Sequence, residues 1–178
     1  SQEEVVIGNV ARFMKEKNQQ YLINILAHLT TNGGEYKLLF VGDGPLTSEC
    51  RKKVKSLGLE DKVLFLGKRT DTNELYQAMD IFALPSLHEG LPLVGVEAQI
   101  AGLTCLFSDT ITDELLMTSH AVYLNLQDMK KWVETIQNWK CNLIERENDA
   151  ALVQDKGYDI IQTTKGLEKY YLNMLKEK

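Results

Sequence analysis

Short apolar runs alternate with helical patterns along most of this chain. The runs are rich in Val, Ile, Leu and Phe with few polar interruptions, which is expected for strands whose sheet is covered on both faces. Strands are predicted at Val5–Val10, Tyr36–Val41, Val63–Leu66, Ile81–Leu84, Thr104–Phe107 and Ala121–Leu124. Alternation of strand and helix predicts an α/β fold, with a parallel sheet of about six strands and helices on both faces.

The segments between the strands carry apolar residues at helical spacing. The first has Leu22, Ile25, Leu26 and Leu29 at i, i+3, i+4 and i+7, and Asn32-Gly33-Gly34 is expected to end it. Further helices are predicted at Leu46–Leu57, at Asn73–Met79, from Pro92 to Gly102, and from Asp128 to the end, where Tyr170 and Tyr171 are expected to pack the last helix. The sequence shows no repeat or linker, so we expect one domain over residues 1–178.

Composition excludes several classes of protein. The formal net charge is −5 with mixed signs, so no nucleic-acid partner is expected. No apolar run approaches the roughly 18 residues of a membrane span. Cys50, Cys105 and Cys141 lack C-x-x-C spacing and are predicted to be reduced thiols of a cytoplasmic protein. Neither an Asp-x-Asp motif nor a cluster of His with carboxylates is present, so a metal is not expected.

Polar residues and glycines collect where the predicted strands end. The segments that follow the first five strands are Arg12 to Lys17, Gly42-Asp43-Gly44-Pro45, Gly67-Lys68-Arg69, Ser86 to Gly90, and Ser108-Asp109. In open α/β sheets, ligands bind outside the carboxyl ends of the strands. The sequence therefore predicts a ligand site at this edge of the sheet.

The segment from Ser86 to Glu97 indicates an anion site. Gly90 permits a tight turn, and Pro92 suits the first turn of a helix because its missing N–H would be unpaired there. The backbone N–H groups of Leu93 and Val94 would then be free, and together with the helix dipole they favour a phosphate.

Charged side chains at the same edge suggest what surrounds that phosphate. Arg12 can bind phosphate oxygens in a fork, and Lys17 can act as a point charge. Glu89 and Glu97 flank the helix start and would accept hydrogen bonds from hydroxyl groups. Each of these residues alone would be typical of a solvated surface. Together they favour a ligand with phosphates in the middle and hydroxyl groups at both ends.

Four segments occur in order over roughly residues 5–115: VIGNVARFMKEKNQQYLI, LLFVGDGP, VLFLG and ALPSLHEGLPLVGVEAQIAGL. They resemble the motifs of the retaining glycosyltransferases of family 4, in particular their bacterial exopolysaccharide and capsule branch. The spacing Glu89-x7-Glu97 is similar to the family's E-x7-E signature. The resemblance implies the carboxyl-terminal, donor-binding half of a GT-B enzyme with two Rossmann-like halves. The amino-terminal acceptor half would be absent from this chain.

The resemblance also implies roles for individual residues. Arg12 and Lys17 would contact the diphosphate, Glu97 the ribose hydroxyls, and Glu89, the implied catalytic residue, the transferred sugar. The implied contacts through backbone groups are Gly8 in the turn after the first strand, Gly90, Leu91, Leu93 and Val94 at the phosphates, and Lys68 and Arg69 at the base.

The implied activity is transfer of a hexosyl group from a nucleoside-diphosphate sugar, a UDP-sugar by preference, to a glycan or lipid-linked acceptor. Transfer would proceed with retention, without a metal or other cofactor, and only once the missing half is present. We expect a cytoplasmic protein, with any contact to the inner face of the membrane made by that half. Two alternatives remain open from the sequence: half of a nucleotide-sugar epimerase, and a non-catalytic nucleotide-binding module.

Overall fold

The computed structural model describes residues 4–31, 33–142, 146 and 150–176. The strands among them are β1 (Val5–Val10), β2 (Tyr36–Val41), β3 (Val63–Phe65), β4 (Ile81–Leu84), β5 (Thr104–Ser108) and β6 (Ala121–Leu124). They form one sheet in the order β3-β2-β1-β4-β5-β6, and every neighbouring pair is parallel. The predicted parallel α/β sheet is therefore confirmed, and it is Rossmann-like.

The helices are α1 (Gln19–Thr31), α2 (Thr47–Ser56), α3 (Thr72–Gln77), α4 (Leu93–Ile100), α5 (Met129–Asn142), α6 (Ala150–Val153) and α7 (Ile160–Lys176). The first four agree with the predicted helices, whereas the segment after Asp128 is divided into several. A left-handed Gly157, with φ of 94°, separates α6 from α7. Gly33, with φ of 74°, follows the end of α1, and Asn32 lies outside the described residues.

Two apolar cores cover the two faces of the sheet. Helices α1, α2 and α5 pack on one face, where Leu26, Phe40 and Trp132 are fully buried. Helices α3, α4 and α6 pack on the other face, where Tyr76 and Phe82 are buried. Because both faces are covered, the central strands can be apolar almost throughout, as the sequence indicates.

The last helix does not pack as expected from the sequence. Every residue from 160 to 175 is exposed, and the Tyr170 and Tyr171 side chains are 59% and 58% exposed. Their two rings contact each other, with centroids 5.7 Å apart, instead of an apolar core. The helical periodicity was sufficient to predict α7. It could not indicate whether the apolar residues of α7 pack against another part of this chain.

The cysteine side chains that the structure describes are buried. Cys50 and Cys105 are both reduced, as predicted. Burial raises the pKa of the Cys50 thiol to about 11. The side chain of Cys141 lies outside the described residues. None of the described helices has the length and apolar character needed to cross a membrane.

Gly8 does not lie in the turn after the first strand, so that expectation is wrong. It lies within β1, where it pairs with Leu39 of β2 and Phe82 of β4. A Cβ atom at this position would be 2.0 Å from the sulfur of Met79, whose side chain is fully buried. Gly8 therefore leaves room for the Met79 side chain between the sheet and the turn that follows α3.

We predict that Gly8→Ala lowers the free energy of unfolding by about 1–3 kcal/mol, because the added methyl overpacks the buried Met79 side chain. Urea titration followed by circular dichroism measures this change. Gly166→Ala in α7 is the matched control, since its Cβ would have no heavy atom within 4 Å. Equal stability of Gly8→Ala and the parent chain would contradict the packing argument.

Candidate functional site

A cavity of about 710 Å³ opens at the carboxyl ends of β1 and β2. The loops after β1, β2 and β3 surround it, and the first turn of α4 closes one side. The cavity is lined by Val10, Ala11, Arg12, Val41, Gly42, Asp43, Gly44, Lys68, Arg69, Thr70, Thr72 and Val94. Four residues predicted from the sequence as ligand contacts thus meet in one place: Arg12, Lys68, Arg69 and Val94.

The loop after β2 packs directly on the backbone of the loop after β1. A Cβ on Gly42, which has φ of 129°, would be 2.1 Å from the carbonyl oxygen of Ala11. A Cβ on Gly44 would be 2.4 Å from the carbonyl oxygen of Phe13. Side chains are excluded at both glycines, so the cavity wall here consists largely of backbone. Backbone walls allow a ligand to approach closely.

Asp43 places a carboxylate in this wall. Its Oδ1 accepts hydrogen bonds from Thr47 Oγ1 at 2.8 Å and from the Gly44 N–H at 2.7 Å. The Thr47 hydroxyl, followed by the Gly44 N–H, lowers the pKa of Asp43 below its usual value. The group is therefore ionised at neutral pH and better suited to accept hydrogen bonds from a ligand than to contact a phosphate.

The loops after β1 and β4 are joined by hydrogen bonds between their backbones and side chains. The Leu87 N–H donates to the Glu16 carbonyl at 2.7 Å, and Asn18 Nδ2 donates to the Pro85 carbonyl at 3.1 Å. Asn18 adopts the left-handed conformation, with φ of 53°, directly after the 3₁₀ turn Lys15–Lys17. These contacts hold Lys17 against the loop that carries Glu89.

Lys17 and Glu89 form an ion pair, which the sequence did not predict. Lys17 Nζ contacts Oε1 of Glu89, and Ser86 Oγ donates to the same oxygen at 2.8 Å. The two charged side chains are only 24% and 13% exposed, respectively. The structure thus brings the proposed phosphate cation and the proposed sugar-binding acid together in one pair.

Hydroxyl groups at the end of β5 and in the loop after it hold the backbone of Ser86, whose own hydroxyl donates to Glu89. Ser108 Oγ and Thr110 Oγ1 both donate to the carbonyl of Ser86. Ser86 and Ser108 are fully buried. The sequence places Ser86 and Ser108 at the sheet edge but indicates no role for them. Their small polar side chains after two apolar strands were the available signal.

Helix α4 begins next to the cavity. Pro92 is its N-cap, with φ −77° and ψ 107°, so Leu93 and Val94 are the first helical residues. Their N–H groups have no carbonyl four residues earlier within the helix, which leaves them available to a ligand. Gly95 lets the helix pack closely, since a Cβ there would be 3.0 Å from Leu115 Cδ1.

Glu97 lies one turn further along α4, and its surroundings differ from those of Glu89. It is exposed, and it lines a second cavity of about 430 Å³. Thr72 lines both cavities, so the two adjoin. Oε2 of Glu97 accepts a hydrogen bond from the buried Tyr76 hydroxyl at 2.8 Å. Nothing in the sequence indicated that Tyr76 belongs to the site.

The remaining predicted contacts are distributed around the helix start. Gly90 is exposed, Leu91 is partly buried against the core, and Leu93 is 62% exposed. Arg69 forms an ion pair with Asp71, with Nε 2.8 Å from Oδ1, so its guanidinium is already engaged beside the cavity. Among the described residues, no group of three or more His, Cys, Asp or Glu side chains is placed to hold a metal ion.

Residues 1–147 match the protein family described as Glycosyl transferases group 1. The chain belongs to this family of glycosyltransferases. One relative is EpsF of Bacillus subtilis (strain 168), a protein named as a glycosyltransferase. It is 37% identical to this domain over 174 residues, which cover 94% of this chain and 44% of that protein.

Solved structures share the fold of this glycosyltransferase domain. Anabaena Alr3699/HepE, in complex with UDP and glucose, has a TM-score of 0.82 and 22% identity, covering 94% of this chain and 48% of that one. The carboxyl-terminal domain of a group 1 glycosyl transferase (LpcC) from Francisella tularensis has a TM-score of 0.67 and 24% identity. That match covers 88% of this chain and 87% of the other. The chain thus spans about half of the longer relatives.

Proposed function

We propose that this chain is the donor-binding domain of a retaining family 4 glycosyltransferase that transfers a hexosyl group from a nucleoside-diphosphate sugar. The observation that supports this most directly is the meeting of Arg12, Lys68 and the start of α4 at one cavity. Cations and free helix N–H groups favour a diphosphate. The two acids nearby, Glu89 and Glu97, favour hydroxyl groups at the two ends of the same ligand.

In this proposal each part of the site contacts one part of the donor. Arg12 and the N–H groups of Leu93 and Val94 bind the diphosphate. The cavity wall near Lys68 and Arg69 surrounds the base, Glu97 accepts from the ribose hydroxyls, and Glu89 accepts from the hydroxyls of the sugar.

Lys17 then has two alternative partners. In the structure its charge is balanced by Glu89. A diphosphate carries more negative charge than one carboxylate, so we propose that Lys17 turns toward the diphosphate when the donor binds. Glu89 keeps its hydrogen bond from Ser86 and becomes free to accept from sugar hydroxyls.

A UDP-sugar is the proposed donor, since the Anabaena structure with the same fold is in complex with UDP and glucose. During transfer, the bond between the anomeric carbon and the diphosphate oxygen breaks, and UDP leaves with the electron pair. An acceptor hydroxyl oxygen forms the new bond to that carbon, and its proton passes to the departing diphosphate. Arg12, Lys17 and the helix N–H groups stabilise the negative charge that develops on it, an electrostatic contribution of roughly several kcal/mol. We propose that these groups serve in place of a metal ion, with retention at the anomeric carbon.

We further propose that residues 1–178 form one of two halves of the enzyme. The chain matches 44% of EpsF, and it corresponds closely in extent to a solved carboxyl-terminal domain from the same family. The other half would bind a glycan or lipid-linked acceptor at the cytoplasmic face of the inner membrane.

Arg12→Ala should weaken UDP binding by about 1.5–3 kcal/mol, the range for a hydrogen bond to a charged group. Isothermal titration calorimetry of this chain with UDP, GDP and ADP measures the loss and identifies the base. Lys52→Ala, an exposed cation on α2, is the control and should bind like the parent chain. Unchanged affinity of Arg12→Ala would contradict its contact with the diphosphate.

Substitutions of the two acids should affect the affinities for UDP and UDP-glucose differently. Glu97→Ala should weaken both ligands by about 1.5 kcal/mol, since both carry the ribose. Glu89→Ala should weaken only UDP-glucose, because the hydroxyls of the sugar, which bare UDP lacks, lose their acceptor. Equal loss of bare UDP in both variants would show that these two roles are wrongly assigned.

This 178-residue chain should bind nucleotide but transfer no sugar, because the acceptor must be oriented against the anomeric carbon in a closed cleft. A product assay with UDP-glucose and candidate acceptors tests this prediction. Fusion to the amino-terminal half of EpsF, which would supply the other side of the cleft, should produce sugar transfer and tighter donor binding. Comparable turnover by the 178 residues alone would contradict the two-half proposal.

A further inference from the structure

Tyr76 is a buried tyrosine whose hydroxyl points at an acid of the proposed site. It lies on α3 and is 2% exposed. Its ring packs edge-on against Phe82 of β4, with centroids 6.0 Å apart. This packing fixes the ring, and with it the position of the hydroxyl group.

The hydroxyl has two acceptors on α4. Oε2 of Glu97 is 2.8 Å away, and the carbonyl of Val94 is 3.3 Å away. A tyrosine has one proton to donate, and a charged acceptor at the shorter distance forms the stronger bond. The proton therefore lies mainly on the bond to Glu97.

Glu97 depends on this bond for its orientation. Its side chain is exposed on α4, where a glutamate would otherwise sample several rotamers. Among the described residues, Tyr76 is its only hydrogen-bond donor, and Oε1 has no hydrogen-bond partner. One oxygen is thus held, and the other is left to accept from a ligand.

We propose that Tyr76 is a positioning residue that orients the Glu97 carboxylate toward the ribose hydroxyls of the nucleotide. This inference rests on the proposed function, since it takes the nucleotide as the ligand. Tyr76 does not itself contact the donor in this proposal. The bond from Tyr76 restricts the Glu97 side chain to fewer orientations before the ribose binds. Less conformational entropy is then lost when the nucleotide binds.

The protonation state of Tyr76 is consistent with this role. Burial, followed by the hydrogen bond to Glu97, raises the pKa of the Tyr76 hydroxyl well above its usual value. The hydroxyl therefore remains a donor throughout the neutral and mildly alkaline range.

A phenylalanine at this position would fill the same space between α3 and β4. The hydroxyl is thus dispensable for packing but not for holding Glu97. Tyr76→Phe can consequently separate a positioning role from a structural one, because only the first depends on the ribose hydroxyls of the ligand.

The experiment compares UDP with 2′,3′-dideoxy-UDP, which lacks both ribose hydroxyls, by calorimetry on the full 178-residue chain. Tyr76→Phe should weaken UDP about fivefold, which corresponds to the net contribution of a typical intramolecular hydrogen bond, and leave dideoxy-UDP unchanged. In Glu97→Ala, adding Tyr76→Phe should cause no further loss, because the two residues act through one interaction.

Tyr123→Phe is the matched control. Its hydroxyl donates to the Thr112 carbonyl, and its ring lies 6.2 Å from that of Phe107 in the same core. It should bind both nucleotides like the parent chain. Thermal unfolding of each variant verifies that the fold is retained.

Two outcomes would overturn the inference alone: undiminished UDP affinity in Tyr76→Phe while Glu97→Ala loses affinity, or equal losses for UDP and dideoxy-UDP in Tyr76→Phe. A parent chain that binds no nucleotide, or binds both nucleotides equally, would overturn the assignment of Glu97 to the ribose and the inference with it. The parent chain's own titrations therefore distinguish failure of the proposed function from failure of the Tyr76 proposal.

Discussion

The central position of β1 is the constraint on which the site depends. This strand pairs with β2 on one side and with β4 on the other. Helices α1 and α2 pack on one face of the sheet, whereas α3 and α4 pack on the other. The connections therefore leave the sheet in opposite directions on either side of β1, which opens a crevice at the carboxyl ends of the strands. Arg12 lines the cavity there because it follows β1, and Lys17, further along the same segment, pairs with Glu89 after β4.

Periodicity and chain composition were sufficient to predict the strands and the edge of the sheet at which the larger cavity opens. They could not predict contacts between segments distant in sequence. Gly8 was expected at a turn, but its neighbour in space is Met79. In the sequence, nothing distinguishes Tyr76 from other aromatic residues of short helices. Its role follows from the hydrogen bond between its hydroxyl and Glu97. Such roles depend on which side chains meet, and a single sequence carries little information about that.

The two acids of the E-x7-E spacing illustrate the same limit. Their spacing predicts that both belong to the site, but not that they are held so differently. Glu89 is paired with Lys17 and supported by Ser86, so its position is determined by two neighbours. Glu97 is exposed and depends on Tyr76 alone among the described residues. The first acid is therefore much more constrained than the second before any ligand arrives.

The site is also assembled from segments that are remote along the chain. The partners Lys17 and Glu89 are separated by 72 positions in the sequence. Asn9 lies 74 positions from Ala83, whose carbonyl accepts a hydrogen bond from the Asn9 amide. In a partly folded chain in which only β1, β2 and the helix between them have formed, Arg12 is in place. Glu89 and α4 are not yet positioned beside it. Ligand that binds only the complete arrangement stabilises the native state by mass action. A ligand bound at the proposed site would therefore be coupled to the unfolding of the sheet, and not only to the opening of one loop.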